Sequence, residues 1–278
     1  MGRHIRDGFI LVVLCSFLVA CGGGGGGGGS AGVATGTGVF VDSPVERLEY
    51  VSGTITGFTD QNGTYKYEVG QTVKFYVGDI LVGETTPKAI LTPRDLVVGA
   101  NIDNPIVLNI SRFLLSLDED DDPTNGIFIP QSVIDNAIGM TIDFTTVGTA
   151  TLDGLIMQIT AKTTVVTDLE AQVHLTETIL NLFAGTYQGT YDGDEKGTWT
   201  VTIDGSGNIT GSGFSTTYQF TFGVTGSVNA NGSMSLAASG SAGSATFNGT
   251  VDVANGRVTG NWQYVPPPGG GTFDGSKN

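Results

Sequence analysis

Cysteine, histidine and tryptophan are nearly missing from this 278-residue chain, at two residues each. Both cysteines, Cys15 and Cys21, lie close to the start, so no intrachain disulfide can staple the sequence that follows. The histidines are His4 and His174, and one His without Cys partners cannot assemble the nitrogen and sulfur donor set of a zinc site. Cations are scarce too: 12 Lys and Arg face 27 Asp and Glu, for a formal charge of -15. A surface of that sign repels phosphodiesters, which excludes nucleic acid as a partner. Apolar runs of about 18 residues or more, the length of a membrane-crossing helix, are absent. Also absent are a P-loop and a GxGxxG following a strand, and the glycine runs are spacer or turn glycines that resemble no GxSxG elbow. The excess is in glycine, at 44 residues.

The first residues carry Arg3, His4 and Arg6 ahead of a short apolar stretch, Phe9 to Ala20 (FILVVLCSFLVA). A basic start before an apolar run too short to span a bilayer reads as a signal peptide over residues 1–20. Its removal takes Arg3, Arg6 and Asp7 and moves the formal charge from -15 to -16, so the acidity belongs to the mature chain. The stretch ends in Leu18-Val19-Ala20-Cys21, which resembles the lipobox of bacterial lipoproteins. That resemblance implies cleavage before Cys21, acylation of Cys21, and a body tethered to a membrane through its lipid. Several acyl chains, at about 0.8 kcal/mol per buried CH₂, anchor far more durably than one. Gly22 follows the anchor where an Asp would signal inner-membrane retention in Gram-negative lipoproteins. The implied location is the outer membrane, on its surface or its periplasmic face. Residues 21–38 then form the anchor and a Gly-rich tether, whose flexible span is on the order of 20–25 Å.

Three regions with different periodicities follow, and together they predict a mainly β fold with a helical middle region. Residues 39–87 show short alternating strands, with Tyr65 and Tyr67 on one face and Val73, Phe75 and Val77 on another. Asn62-Gly63 predicts a tight hairpin turn between Phe58 and Tyr65. The stretch TDQNGTYKY resembles the TD-x-x-G-x-[FY]-x-[FY] hairpin of prealbumin-like carboxypeptidase-regulatory and Cna B-type modules, which implies a small β-sandwich acting as a stalk or spacer.

Residues 88–183 turn helical. Ile110, Phe113, Leu114 and Leu117 repeat at i, i+3, i+4, i+7, as do Leu152, Leu155, Ile156 and Ile159. Thr167 with Glu170 reads as a capping box opening a helix through Leu169, Val173, Thr176 and Leu180. Pro105 and Pro130 fit helix starts. NISRFLLSLDEDDDPTNGI and AQVHLTETI resemble a region of uncharacterised bacterial lipoproteins and adhesin-like surface proteins.

Residues 184–278 alternate almost without interruption between apolar and Gly, Ser or Thr positions. Turn signals recur around Gly207, Gly232 and Gly256, spacing that predicts a repeated hairpin pair. The expectation is an eight-stranded up-and-down β-barrel. GTYQGTYDG, ATFNGTVDVANGRVTGNW and GGTFDGSK are similar to the small barrels of transferrin-binding and related surface lipoproteins. Inward aromatics would fill such a barrel and leave binding to its exterior, whereas inward Gly, Ala or Ser would open a cavity; the sequence shows both kinds.

Candidate chemistry concentrates in one acidic turn. Asp118, Asp120 and Asp122 alternate after a helix as in an oxygen-ligand calcium loop, with Asn125 as a further donor. The EF-hand pattern then fails, because Pro123 and Ile129 stand where Gly and Glu are required. A structural Ca²⁺ in a shorter loop is the expectation. His174 lies on the last predicted helix, and Asp168, Glu170 and Glu177 near it are ordinary helical neighbours, so no catalytic residue is nominated. The sequence therefore reads as a non-catalytic cell-envelope lipoprotein that binds a protein or carbohydrate partner as a surface or adhesion module. The alternatives are a periplasm-facing structural or assembly lipoprotein and, behind it, a hydrolase.

Overall fold

Period-two alternation becomes strand wherever it is sustained, and strands take 43% of the chain, which makes the fold mainly β with a modest helical middle. The computed structural model describes residues 33–241, 243–266 and 268–278. Residues 1–20, read above as a signal peptide, together with Cys21 and the polyglycine run, lie outside the described residues. No described helix is long and apolar enough to cross a membrane.

The first strands are β1 (Thr35–Phe40), β2 (Val45–Glu46), β3 (Glu49–Ser52), β4 (Ile55–Phe58), β5 (Thr64–Glu68), β6 (Val73–Val77), β7 (Ile80–Thr85) and β8 (Ile90–Leu91). They make a three-stranded sheet in the order β5-β1-β8 and a four-stranded sheet in the order β4-β3-β6-β7. The inner faces meet through rings: Phe40 lies 4.8 Å from Phe75, and Tyr65 stands edge-on to Phe75 at 5.3 Å. The Asn62-Gly63 turn is real but closes no hairpin. β4 pairs with β3 while β5 pairs with β1, so the turn carries the chain from one sheet to the other. Asp60 Oδ1 accepts the N–H groups of Asn62 and Thr64, each at 2.9 Å, and Gly63 takes a φ of +73°. A local motif fixes the turn but not the partner of the outgoing strand.

Residues 35–38, assigned to the tether by composition, are strand. Their glycines seat rings: a Cβ on Gly36 would lie 2.3 Å from the Tyr67 ring.

The helices are α1 (Pro105–Ser116), α2 (Gln131–Asn136), α3 (Thr149–Thr160) and α4 (Asp168–Phe183), with β9 (Ile127–Phe128) before α2 pairing with β2. Asn104 caps α1 by accepting the Ile106 N–H, with Pro105 in the first turn, where its missing donor costs nothing. Ile110, Phe113, Leu114 and Leu117 are buried, as are Leu152, Ile156 and Ile159. The Thr167/Glu170 capping box is present. The buried stripe of α4 is instead Ala171, Leu175, Ile179 and Phe183, and Leu169 and Val173 face solvent. The helix offers two partly apolar stripes, and tertiary packing chooses the one that ends in Phe183. The two sheets and α1 to α3 share one apolar cluster running from Phe40 to Ala171.

The remaining strands are β10 (Gly185–Gly193), β11 (Gly197–Ile203), β12 (Asn208–Ser215), β13 (Phe220–Val228), β14 (Ser233–Gly240), β15 (Gly243–Val251), β16 (Arg257–Val265) and β17 (Gly270–Lys277). Each pairs antiparallel with the next, and β10 pairs with β17 to close an eight-stranded barrel. Three turns at one end use the same chemistry. Asp204, Asn229 and Asp252 each accept a backbone N–H two residues on, and Gly207, Gly232 and Gly256 take φ values of +80°, +84° and +65°.

That end is stoppered by α4. Leu175, Ile179 and Phe183 join the barrel's apolar cluster, and the Tyr187 hydroxyl donates to the Phe183 carbonyl at 2.7 Å. Lys277 Nζ donates to the Leu182 carbonyl at 3.0 Å, placing a cation at the helix C-terminus. Two bonds from the loop before α1 add to the seal, Arg94 Nη1 to the Ala230 carbonyl and the Ile102 N–H to Asn231 Oδ1, both 3.2 Å.

Inward glycines that face aromatic rings do not hollow out the barrel. A Cβ at Gly213 would lie 2.2 Å from the Phe222 ring, and one at Gly275 would lie 2.5 Å from the Trp199 ring. The missing side chains are the seats of the aromatics. Gly213→Val is therefore expected to lose about 1–3 kcal/mol by overpacking. Gly223→Thr, where nothing lies within 4 Å of the added Cβ, is expected to be neutral or slightly stabilising. Urea unfolding midpoints of the two variants check this contrast.

Candidate ligand-binding site

The barrel's other end is open. Between its strand ends lies a cavity of about 500 Å³, within the range of sites that hold small ligands. Deeper in, the void lined by Trp199, Val201 and Phe273 shrinks to about 10 Å³, no more than a water could occupy. Phe222, Phe247 and Trp262 form the inner wall, with Tyr218 and Phe220 towards the rim. Ala238 and Ala245, on the two strands between Phe222 and Trp262, line the same wall, and their small side chains leave space unfilled. Both kinds of inward residue are thus used in one barrel, and both line this cavity.

The position of Glu195 follows from register. Glu195, Gly197, Trp199, Val201 and Ile203 share one parity and are all buried, so the acid carries the inward face of β11 past the strand's first residue into the cavity. Glu195 is only 6% exposed. Its Oε1 accepts the Tyr191 hydroxyl at 3.0 Å and its Oε2 the Tyr264 hydroxyl at 2.8 Å. Burial, followed by the bond to this carboxylate, pushes both phenols above their ordinary range. They therefore stay protonated and remain donors. The same tyrosines stand edge-on to Trp262, with centroids 5.6 and 5.1 Å away, while Phe247 stacks on it at 6.0 Å. The Trp262 indole N–H donates to the Asp192 carbonyl at 3.1 Å, which fixes the ring. Glu195, Tyr191, Tyr264 and Trp262 form one pre-oriented cluster.

This site was not nominated from the sequence. Its aromatics are visible there as one strand face, but Glu195 stands among Asp192, Asp194 and Lys196 and looks like part of a charged turn. The available signal was its parity with Trp199 and Val201.

The residues proposed for calcium sit elsewhere, and they are engaged. Asp120 accepts the Asp122 N–H at 3.1 Å and the Asn125 amide at 3.0 Å, and the Asn125 bond is the main cause holding its carboxyl below the ordinary range. Asp122 caps the short turn Pro123–Asn125 by accepting from Thr124. Asp118 is buried; its Oδ1 accepts the Phe128 N–H at 2.9 Å, while its Oδ2 has no partner. Lys162 Nζ contacts the Asp118 carbonyl and Asp121 Oδ1. Among the described residues, no group of three or more His, Cys, Asp and Glu converges as a metal site.

His174 is half-buried on α4. Its Nε2 lies 3.2 Å from Ser43 Oγ, 3.3 Å from the Asp42 carbonyl and 3.4 Å from Thr178 Oγ1. The Ser43 hydroxyl donates to the Pro123 carbonyl at 2.6 Å, so it is turned towards the backbone and away from the imidazole. Burial lowers the affinity of His174 for a proton. The arrangement ties α4 to the turn after β1.

No family model and no curated protein matches this chain.

Beside His174, Asp42 is fully buried and neither carboxyl oxygen meets hydrogen-bond geometry, although the Ser111 hydroxyl lies against it. Desolvation pushes its carboxyl up to about 7. Below about pH 4 the group is neutral in folded and unfolded chains alike. As the pH rises from there the unfolded chain releases its proton first, so stability is lost through the interval up to about 7 and levels off above it. Asp42→Asn removes this loss. Its stability advantage over the parent is expected to grow from near zero at pH 4 to about 1–3 kcal/mol at pH 8, read from urea midpoints at the two pH values.

Proposed function

We propose that this chain is a non-catalytic, lipid-anchored lipoprotein of the bacterial cell envelope that works as a binding module, with the open end of its barrel as the binding face. The observation that carries this reading is the cavity of about 500 Å³. A barrel stoppered at one end and left unfilled at the other presents pre-formed space on a rigid scaffold, the usual setting for recognition. The acylated Cys21 and the tether behind it supply the anchorage. The hydroxyl-rich outer strand faces suit a protein or carbohydrate partner. Two facing sheets in the first region support a small sandwich serving as a spacer, and the closed barrel supports the likeness to transferrin-binding-type surface lipoproteins.

The enclosing aromatics, and the absence from the cavity lining of a nucleophile paired with a base, favour binding over hydrolysis. Treating intact cells with a non-penetrating protease, with a periplasmic protein as integrity control, tests the surface assignment. The expected outcome is loss of the barrel with the control preserved. Protection until permeabilisation would instead assign the module to the periplasm, as a structural or assembly lipoprotein.

A structural calcium ion at Asp118, Asp120, Asp122 and Asn125 belongs to the same proposal. The unpartnered, buried Oδ2 of Asp118 supports it. An ion there would take the place of the Lys162 ammonium. The expected result is a melting temperature several degrees higher in 1 mM Ca²⁺ (~1 mM, far above a site of 10⁻⁵ M or tighter) than in chelator, abolished in Asp118→Asn. Identical melts would remove calcium from the reading.

A further inference from the structure

The proposed ligand site has a definite chemical bias. Glu195 brings a carboxylate into a cavity walled by aromatic rings, and it enters none of the ion pairs found among the described residues. Lys196, its neighbour in the chain, is exposed and does not line the cavity. The two phenols satisfy one lone pair on each oxygen and neutralise nothing, because a neutral hydroxyl carries no charge. A carboxylate only 6% exposed and without a counter-ion has lost most of its hydration, which is costly. A bound cation removes that cost. The rings around it add a second term of the same sign, since the face of an indole, phenol or phenyl ring attracts a positive charge at centroid distances of about 6 Å or less. An anion would meet repulsion from Glu195 and from any ring face turned towards it. A neutral ligand would leave the acid as it is.

We propose that the open end of the barrel binds a small organic cation, an ammonium group carried on an apolar body, with Glu195 as its counter-charge and the rings of Tyr191, Trp262 and Tyr264 as the walls around it. This rests on reading the cavity as a ligand site. The volume of about 500 Å³ exceeds what a bare ammonium needs, so the apolar body occupies the space between Phe220, Phe222 and Ala245. Tyr191 and Tyr264 act as positioning residues, because each holds the carboxylate by one oxygen and leaves a lone pair on that oxygen for the cation.

The test uses three probes of one shape and different charge: choline, its neutral isostere 3,3-dimethylbutan-1-ol, and 3,3-dimethylbutanoate. The full chain is held in phosphatidylglycerol vesicles at physiological salt. Binding is read from tryptophan emission, to which Trp262 reports from the cavity wall and Trp199 from the packed half. Choline is expected to bind at least tenfold more tightly than the alcohol, and the anion more weakly than either. In Glu195→Gln, choline should fall to within about twofold of the alcohol, while the alcohol's own affinity stays unchanged. Phe220→Leu, at the rim, provides a second variant that keeps the carboxylate; it should weaken choline several-fold and the alcohol less. If the alcohol binds as tightly as choline to the parent, or Glu195→Gln leaves choline binding intact, the cation assignment is overturned while the ligand site stands. If none of the three probes alters the emission, both readings fall.

Discussion

Aromatic rings laid on backbone glycines are the contact on which the barrel depends. Eight strands enclose a bore just wide enough to be filled by side chains, and here large rings fill it only because facing positions carry none. Trp199 rests on Gly275 and Gly189, Phe222 on Gly213, and Phe273 on Gly260. Each pair trades a second side chain for one large apolar surface, and the pairs extend as far as Phe222 on the cavity wall. Beside those rings the lining residues Ala238 and Ala245 are too small to fill the space. The cavity lies where alanines take the place of larger inward side chains.

Closure at one end and opening at the other are linked through the middle of the chain. α4 runs from the apolar cluster of the two sheets into the barrel, burying Ala171 in the first and Leu175, Ile179 and Phe183 in the second. The residues that would otherwise lie at an exposed barrel end are covered by the protein's own helix. Among the described residues, the far mouth is left open to solvent, and there the one carboxylate of the lining sits among aromatic rings.

Legibility from sequence divided along physical lines. Strict alternation and the Gly207, Gly232 and Gly256 turns foretold the eight-stranded barrel, because each signal is local and the repeat is regular. The capping box at Thr167 and the α1 core face were equally plain. Harder were features decided by distant partners. Two stripes on α4 were both apolar enough, and only the stopper role of Phe183 separates them. The Asn62-Gly63 turn was visible, but its position between two sheets was not. Inward glycines were ambiguous between cavity and ring seat, since the answer lies on the neighbouring strand. Glu195 was hidden by its company: parity placed it inward, and the charged residues beside it made it look like surface.

The pairing of β10 with β17 bears on how the molecule comes to be folded. Thr190 and Asp274, which meet across that seam, are 84 positions apart in the chain. Every other barrel pairing joins consecutive strands and can form as soon as its second strand exists. Until β17 arrives, the sheet has two bare edges, at β10 and β16, each able to accept a strand from another molecule. The slow step is therefore the non-local one, and it is also the step that ends exposure to aggregation. Copies of the chain must therefore be kept apart until that final strand has paired.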